Sequence, residues 1–277
     1  MKKIIFLFAM VLTAGMVMAQ QNVWVTQTGY GNTANITQDA ERSGVTSSIF
    51  AVQSGTWNAL NANQLGETNY IDLKQTGANN IAEMKQLTRE IHGPGGTNTA
   101  NVLQSGNANT ANLTQREDNQ GGYDFSVNYV NAVQSGNNNN YNLNQGRPGL
   151  FPYIPNNTSL LTQAGYANSA VMNQSGRHDY SEIRQSGNWN SALLDQRGID
   201  QGDVAPVSSW ARSFSWQTGS NNSLGIQQAY HLNNEYAESY QNGTANTTNI
   251  TQIGFSIQDV ISVQHGSGDI INVLQTQ

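Results

Sequence analysis

One pattern governs this chain. Gln-x-Gly-x-x-Asn-x-x-x-(apolar)-x-Gln occurs ten times in 277 residues. Its first glutamine stands at Gln27, Gln53, Gln75, Gln104, Gln134, Gln163, Gln185, Gln217, Gln241 and Gln264. A second glutamine follows eleven residues on in every copy, at Gln38, Gln64, Gln86, Gln115, Gln145, Gln174, Gln196, Gln228, Gln252 and Gln275. Glycine lies two residues after the first glutamine throughout: Gly29, Gly55, Gly77, Gly106, Gly136, Gly165, Gly187, Gly219, Gly243 and Gly266. Asparagine lies five after it in nine copies, at Asn32, Asn58, Asn80, Asn109, Asn139, Asn168, Asn190, Asn222 and Asn246; Asp269 takes the place in the tenth. Self-similarity at this spacing marks a stacked-repeat architecture, in which each unit buries its face only against its neighbours.

The spacing inside the unit is that of strands. From each asparagine, alternate residues run Asn32, Ala34, Ile36, Gln38, or Asn190, Ala192, Leu194, Gln196, a period of two with one inward face. The same alternation leads into the first glutamine, as in Val23, Val25, Gln27; Ile71, Leu73, Gln75; and Val130, Ala132, Gln134. Between the strands lies a glycine turn such as Gly29-Tyr30-Gly31, where the backbone takes angles that side chains resist. A helical reading of an eleven-residue repeat fails, because Gly and Asn recur inside every unit and Thr, Val, Ile and Tyr surround them. The expected fold is all-β: a β-solenoid of about ten stacked strand-turn-strand coils. The shortest step between motifs is 22 residues, from Gln53 to Gln75 and from Gln163 to Gln185. Stacked at roughly 4.8 Å per coil, ten coils make a column about 48 Å tall.

The fixed amides follow from the stack. A buried carboxamide costs free energy unless donor and acceptor are both paired. In identical stacked coils each amide donates to one neighbour and accepts from the other, so the position is satisfied only when every coil repeats it. Between the ladders, Ala82, Met84, Ala111, Leu113, Ile226 and Ile250 are expected to form a thin dry core.

Long segments separate some motifs: 39–47, 87–97, 116–127, 146–156 and 197–210. All five prolines, Pro94, Pro148, Pro152, Pro155 and Pro206, fall within them. Proline cannot join the middle of a ladder. Every insertion follows a second glutamine and none breaks the Gln-to-Gln arc, so the insertions are expected as loops on one edge.

Composition agrees with this plan. There are 37 Asn and 27 Gln, while 11% of residues are charged and 37% are apolar. Such Asn/Gln richness suits cross-β order, and the regular apolar positions argue against disorder. Residues 1–19 read as a secretory signal peptide: Lys2 and Lys3, an apolar run to Val17, and Val17-Met18-Ala19 before Gln20. The mature domain is then 20–277, with 10 basic and 18 acidic residues, or net −8. Only Lys74 and Lys85 remain as lysines, so a phosphate-binding patch is absent and nucleic acid is not expected as a partner. Cysteine is absent too, so repetition takes the stabilising role that disulfides have in many secreted chains.

At the level of the motif the sequence resembles the curlin repeat of the curli family, over roughly Val23 to Gln277. The glutamine pair eleven apart around Gly and Asn carries the resemblance. It departs in having ten motifs where the familiar subunits have about five, and in its long insertions. The serine found six before the first glutamine is kept at Ser47 but is Asn at Asn69, Asn98, Asn128 and Asn157. The resemblance implies a secreted, extracellular subunit of functional amyloid fibres on a Gram-negative cell surface, serving biofilm matrix and adhesion. It implies as partners further copies of the chain, a related curlin subunit, and an outer-membrane secretion pore with its accessory proteins. The motif ending at Gln275 is intact, which leaves a pairing-competent edge for polymerisation.

Other functions find less in the residues. The acids are scattered, with no pair at a glycosidase spacing, and no Gly-x-Ser-x-Gly elbow or phosphate loop occurs. His92, His178, His231 and His265 stand far apart, and His178-Asp179 is a lone neighbour pair. No enzyme activity, cofactor or metal is therefore expected. Calcium-binding nonapeptides are missing, and Thr28, Thr76 and Thr218 are too irregular for an ice-binding array. The alternative that keeps support is a monomeric cell-surface β-solenoid adhesin for carbohydrate or host surfaces, using the turn aromatics Tyr30, Trp57, Tyr166 and Trp189.

Overall fold

A computed structural model describes residues 20–39, 46–66, 68–90, 96–119, 127–146, 156–176, 178–198, 211–231, 235–254 and 257–276. Each of these ten segments is one coil. Residues 1–19, expected as a signal peptide, and most of the insertions, with all five prolines, lie outside the described residues.

Every coil contributes two strands. Numbered in chain order, the first coil holds β1 (Gln20–Tyr30) and β2 (Thr33–Asp39), and the last holds β19 (Gln258–Ser267) and β20 (Ile270–Thr276). The strand before each glycine turn joins one ten-stranded parallel sheet, here sheet A. The strand after it joins a second ten-stranded parallel sheet, sheet B. Both sheets run through the coils in sequence order, so the chain is the β-solenoid that the repeat requires. Parallel strands need a crossover, and here each sheet serves as the other's crossover.

The motif sets the register. Gln27 pairs with Gln53, Gln53 with Gln75, and so on to Gln241 with Gln264. The second glutamines align equally in sheet B, from Gln38 with Gln64 to Gln252 with Gln275. Sliding a coil by one residue would turn its apolar face outward. The stack departs from regularity at Arg197/Gly198, where the partner strand carries a bulge.

The core is built from two files of residues from each sheet. Sheet A supplies Ile49, Ala51, Ile71, Leu73, Val130 and Ala132; sheet B supplies Leu60, Ala62, Ala82, Met84, Ala111, Leu113, Ile226 and Ile250, all buried. Each apolar position stacks on its equivalent in the neighbouring coils, giving one continuous core.

The insertions start later than the motif spacing suggests. β6 (Ile81–Glu90) and β8 (Thr110–Asn119) run past their second glutamines and stay paired from Leu87 with Arg116 to Glu90 with Asn119. The inward alternation continues there: Thr88 is buried and its hydroxyl donates to Asn69 Oδ1 at 2.9 Å.

Candidate functional site

The expected ladder glutamines are brought together as two continuous files. In the first, Gln53 Nε2 donates to Gln75 Oε1 at 2.8 Å and to the Thr33 carbonyl at 3.0 Å. In the second, Gln64 Nε2 donates to Gln86 Oε1 at 2.8 Å and to the Ser48 carbonyl at 3.3 Å. The carbonyl contact identifies which atom is nitrogen and so gives each ladder a direction. Both files point the same way, toward the C-terminal coil, from Gln27 to Gln264 and from Gln38 to Gln275. In the internal coils both amide protons are used, one along the stack and one on the backbone, so these side chains are fully paired inside a dry core.

The asparagine file runs in the opposite sense. Asn109 Nδ2 reaches back to Asn80 Oδ1 at 3.1 Å. It also contacts its own coil's Ser105 carbonyl at 3.0 Å and the next coil's Gly136 carbonyl at 2.9 Å. The asparagine thus ties three successive turns together. From Asn58 to Asn246 these side chains are at most 1% exposed. Asp269, the tenth position, is exposed, and its backbone N–H keeps the contact to Asn246 Oδ1 at 3.2 Å.

The turn glycines are required twice over. Gly106 has φ +104°, and a Cβ there would lie 1.9 Å from the Gly136 carbonyl oxygen. The same 1.8–2.0 Å collision meets every motif glycine from Gly29 to Gly243. A second left-handed residue, two positions later, is present in all ten turns: Gly31, Trp57, Asn79, Ala108, Asn138, Ala167, Trp189, Asn221, Ala245 and Gly268. Its Gly and Asn members signal the conformation; Trp and Ala conceal it.

Two further polar files were missed as ladder members. Asn69, Asn98 and Asn128 form a fourth amide ladder, with Nδ2 to Oδ1 contacts of 3.0 and 2.9 Å. In the middle coils, Ser159, Ser181 and Ser213 replace apolar core residues and donate across to sheet B, to Gln174, Gln196 and Gln228 Oε1, at 2.6–2.7 Å. Tyr141, wholly buried, reaches Ser159 and donates to Met172 Sδ at 3.6 Å; burial pushes its phenol well above the ordinary range.

The turn aromatics are exposed but engage one another. Tyr30 meets Trp57 edge to face at 5.2 Å, and Tyr166 meets Trp189 at 5.3 Å. The outer face of sheet A carries a second aromatic group that the motif does not announce. Phe214 lies between Tyr180 at 5.4 Å and Tyr236 at 5.6 Å, and Trp216 meets Tyr240 at 4.5 Å. Glu238 accepts from Tyr236 and Tyr240, whose phenols are pushed up to about 12; for Tyr236 desolvation is the larger cause, and for Tyr240 the hydrogen bond to Glu238. Among the described residues, no group of three or more His, Cys, Asp or Glu side chains is placed to hold a metal ion.

The two end coils differ from the rest. Among the described residues β1 and β2 are unpaired on one side, and so are β19 and β20 on the other. Gln27 and Gln38 offer free acceptor oxygens at one end, since no described coil precedes them. Gln264 and Gln275 are last in their ladders at the other end. Large exposed apolar side chains gather there: Trp24 and Val25 in coil one, and Ile257, Ile261, Val263, Ile270 and Leu274 in coil ten. No protein family model, curated protein or solved structure matches this chain.

Proposed function

We propose that this protein is a secreted structural subunit that stacks head to tail into extracellular cross-β fibres of the curli type, serving biofilm matrix and adhesion. The observation that carries the reading is the common direction of the two glutamine ladders. One end of the solenoid offers amide acceptors, the other amide donors, at the same positions of the same repeat. A second copy therefore continues the stack as an eleventh coil. Aligning Gln264 with Gln27 of that copy sets Ile261 beside its Trp24, and Ile270 and Leu274 beside its Thr33 and Thr37. The exposed apolar flanks of coil ten then gain the neighbours their counterparts have in every internal coil. Natural sheets usually blunt such edges, and open complementary ends suit polymerisation. A heterologous contact of this kind, repeated, gives an open filament.

The signal-like segment 1–19 supports export, and the motif resemblance supports passage through an outer-membrane pore and joint assembly with a related subunit. The adhesin alternative gains little from the turn aromatics, whose rings pack edge to face against each other in preference to a flat platform.

The test is a thioflavin fluorescence time course on mature protein diluted from denaturant, with fibre diffraction of the product. A lag, seeded growth and reflections near about 4.7 and about 10 Å are expected. A β-rich monomer that does not grow even when seeded overturns the reading.

A further inference from the structure

At the asparagine position the head-to-tail junction is not a copy of the nine internal junctions: one amide nitrogen is replaced by oxygen. At every internal step the asparagine Nδ2 lies between two carbonyl oxygens. Asn222 donates to Thr218 in its own coil at 3.1 Å and to Gly243 in the next coil at 3.2 Å. Asn168 does the same to Ala164 at 3.1 Å and Gly187 at 2.9 Å. In coil ten this position is Asp269, whose side chain carries oxygen where the amide nitrogen belongs. When a second copy stacks on coil ten, the equivalent carbonyls are its own His265 carbonyl and Gly29 of the arriving copy. An ionised carboxylate sets its lone pairs against both.

Burial adds to the conflict. Asp269 is exposed in the single chain, whereas its counterparts inside the stack are at most 1% exposed. Enclosing a carboxylate is strongly disfavoured unless donors surround it. One side of the group is served: Asn32 of the arriving copy brings a backbone N–H and an Nδ2, as Asn58 does to Asn32 within the chain at 3.0 and 3.2 Å. The other side is not. A proton on that oxygen turns repulsion into donation.

We propose that Asp269 makes the junction between copies of this chain proton-dependent: the junction closes when the carboxyl is protonated and is held open when it is ionised. This rests on the head-to-tail reading above. The groups that face Asp269 leave the assignment to it. Among the described residues of the flanking turn, Thr244, Ala245 and Asn246 carry no charge, and the arriving turn, Thr28 to Asn32, holds Tyr30 alone as a titratable group. His265 belongs to the same turn and is exposed on the outer face. Asp259 lies at the far end of β19 and Asp39 at the far end of β2, both exposed.

The sign follows from linkage. An enclosed carboxyl with carbonyl oxygens on one side is favoured in its protonated form, so closing the junction takes up a proton. The junction is therefore strongest at acid pH and weakens as pH rises. A proton linkage of one pKa unit between the open and closed junction changes its affinity about tenfold.

The experiment compares seeded elongation of wild type, Asp269→Asn and Asp269→Ala from pH 4 to pH 7.5, with circular dichroism confirming that the monomers fold. Asp269→Asn installs the residue of the other nine coils and so does not threaten the fold. Wild type is expected to elongate about tenfold faster or more at the acid end. Asp269→Asn should be fast and nearly flat with pH, and Asp269→Ala flat but slower, lacking the donor. Equal pH slopes for wild type and Asp269→Asn would assign the effect to the acidic chain as a whole and overturn this inference while leaving the head-to-tail reading intact. Folded monomers that elongate at no pH, in any of the three, would overturn both.

Discussion

Gln104 Nε2 donates to Gln134 Oε1 at 2.8 Å, across 30 residues of sequence, with both side chains wholly buried. Gln104 also accepts from Gln75 and donates to the Ile81 carbonyl. Replacing it by Ala therefore orphans a donor on one neighbour and an acceptor on the other. Each orphan costs about 1–3 kcal/mol. Gln104→Ala should lower the denaturant midpoint clearly and slow fibre growth, whereas Thr162→Ala, on the exposed outer face, should change neither. Equal midpoints for the two variants would remove the energetic role of the ladder.

Two turn glycines separate conformational strain from steric exclusion. Gly106 combines φ +104° with a carbonyl that would touch a Cβ at 1.9 Å. Gly268, with φ +77°, has nothing within 4 Å of a Cβ. Gly268→Ala should cost about 1–2 kcal/mol, the left-handed penalty alone. Gly106→Ala should cost considerably more and disturb pairing of the coils on both sides. Chemical denaturation of the two variants orders them directly.

The second left-handed position offers stabilisation. Ala108, Ala167 and Ala245 have φ of 54–58°, a region that asparagine tolerates better than alanine. Asn already stands at Asn79, Asn138 and Asn221 in the same place. The triple variant Ala108→Asn, Ala167→Asn, Ala245→Asn should raise the denaturant midpoint, through a gain in stability of roughly 0.5–1 kcal/mol per site. A lower midpoint would show that the asparagine side chains clash with the neighbouring turns.

What was legible in the sequence follows from what a period of two can encode. Alternation from Asn32 to Gln38 gives the inward face, and identical spacing in ten copies gives the register, so the strand pairs and the core at Ala82, Met84 and Ile250 could be read before any coordinates. Alternation does not say what a side chain meets across the core. The Ser181 contact to Gln196 joins opposite sheets and has no local signature. Nor does a motif reveal the backbone carbonyl that takes the second proton of Gln53, since Thr33 belongs to the preceding coil. The continuation of β6 through Thr88 stayed hidden because a motif-based boundary stops at the last fixed glutamine. The αL residue after each glycine stayed hidden because Trp57 and Ala108 hold it against their own preference.

The junction between copies can be tested by charge at one pair of positions. Trp24 and Ile261 both lie three residues before the first glutamine of their coils, on the outer face, and both are exposed. Within one chain they are nine coils apart, so neither substitution should disturb the other's surroundings. In a head-to-tail stack they become direct neighbours across the junction. Like charges directly opposite on adjacent strands destabilise and opposite charges stabilise, each by about 0.2–1 kcal/mol. Trp24→Lys with Ile261→Lys should leave the monomer's thermal midpoint nearly unchanged while raising the concentration needed for fibre growth. Trp24→Lys with Ile261→Glu should recover much of that loss, and the recovery should fade at high salt as the charges are screened. If the two double variants grow alike at low salt, coil ten does not stack on coil one, and the fibre must form through another edge or face.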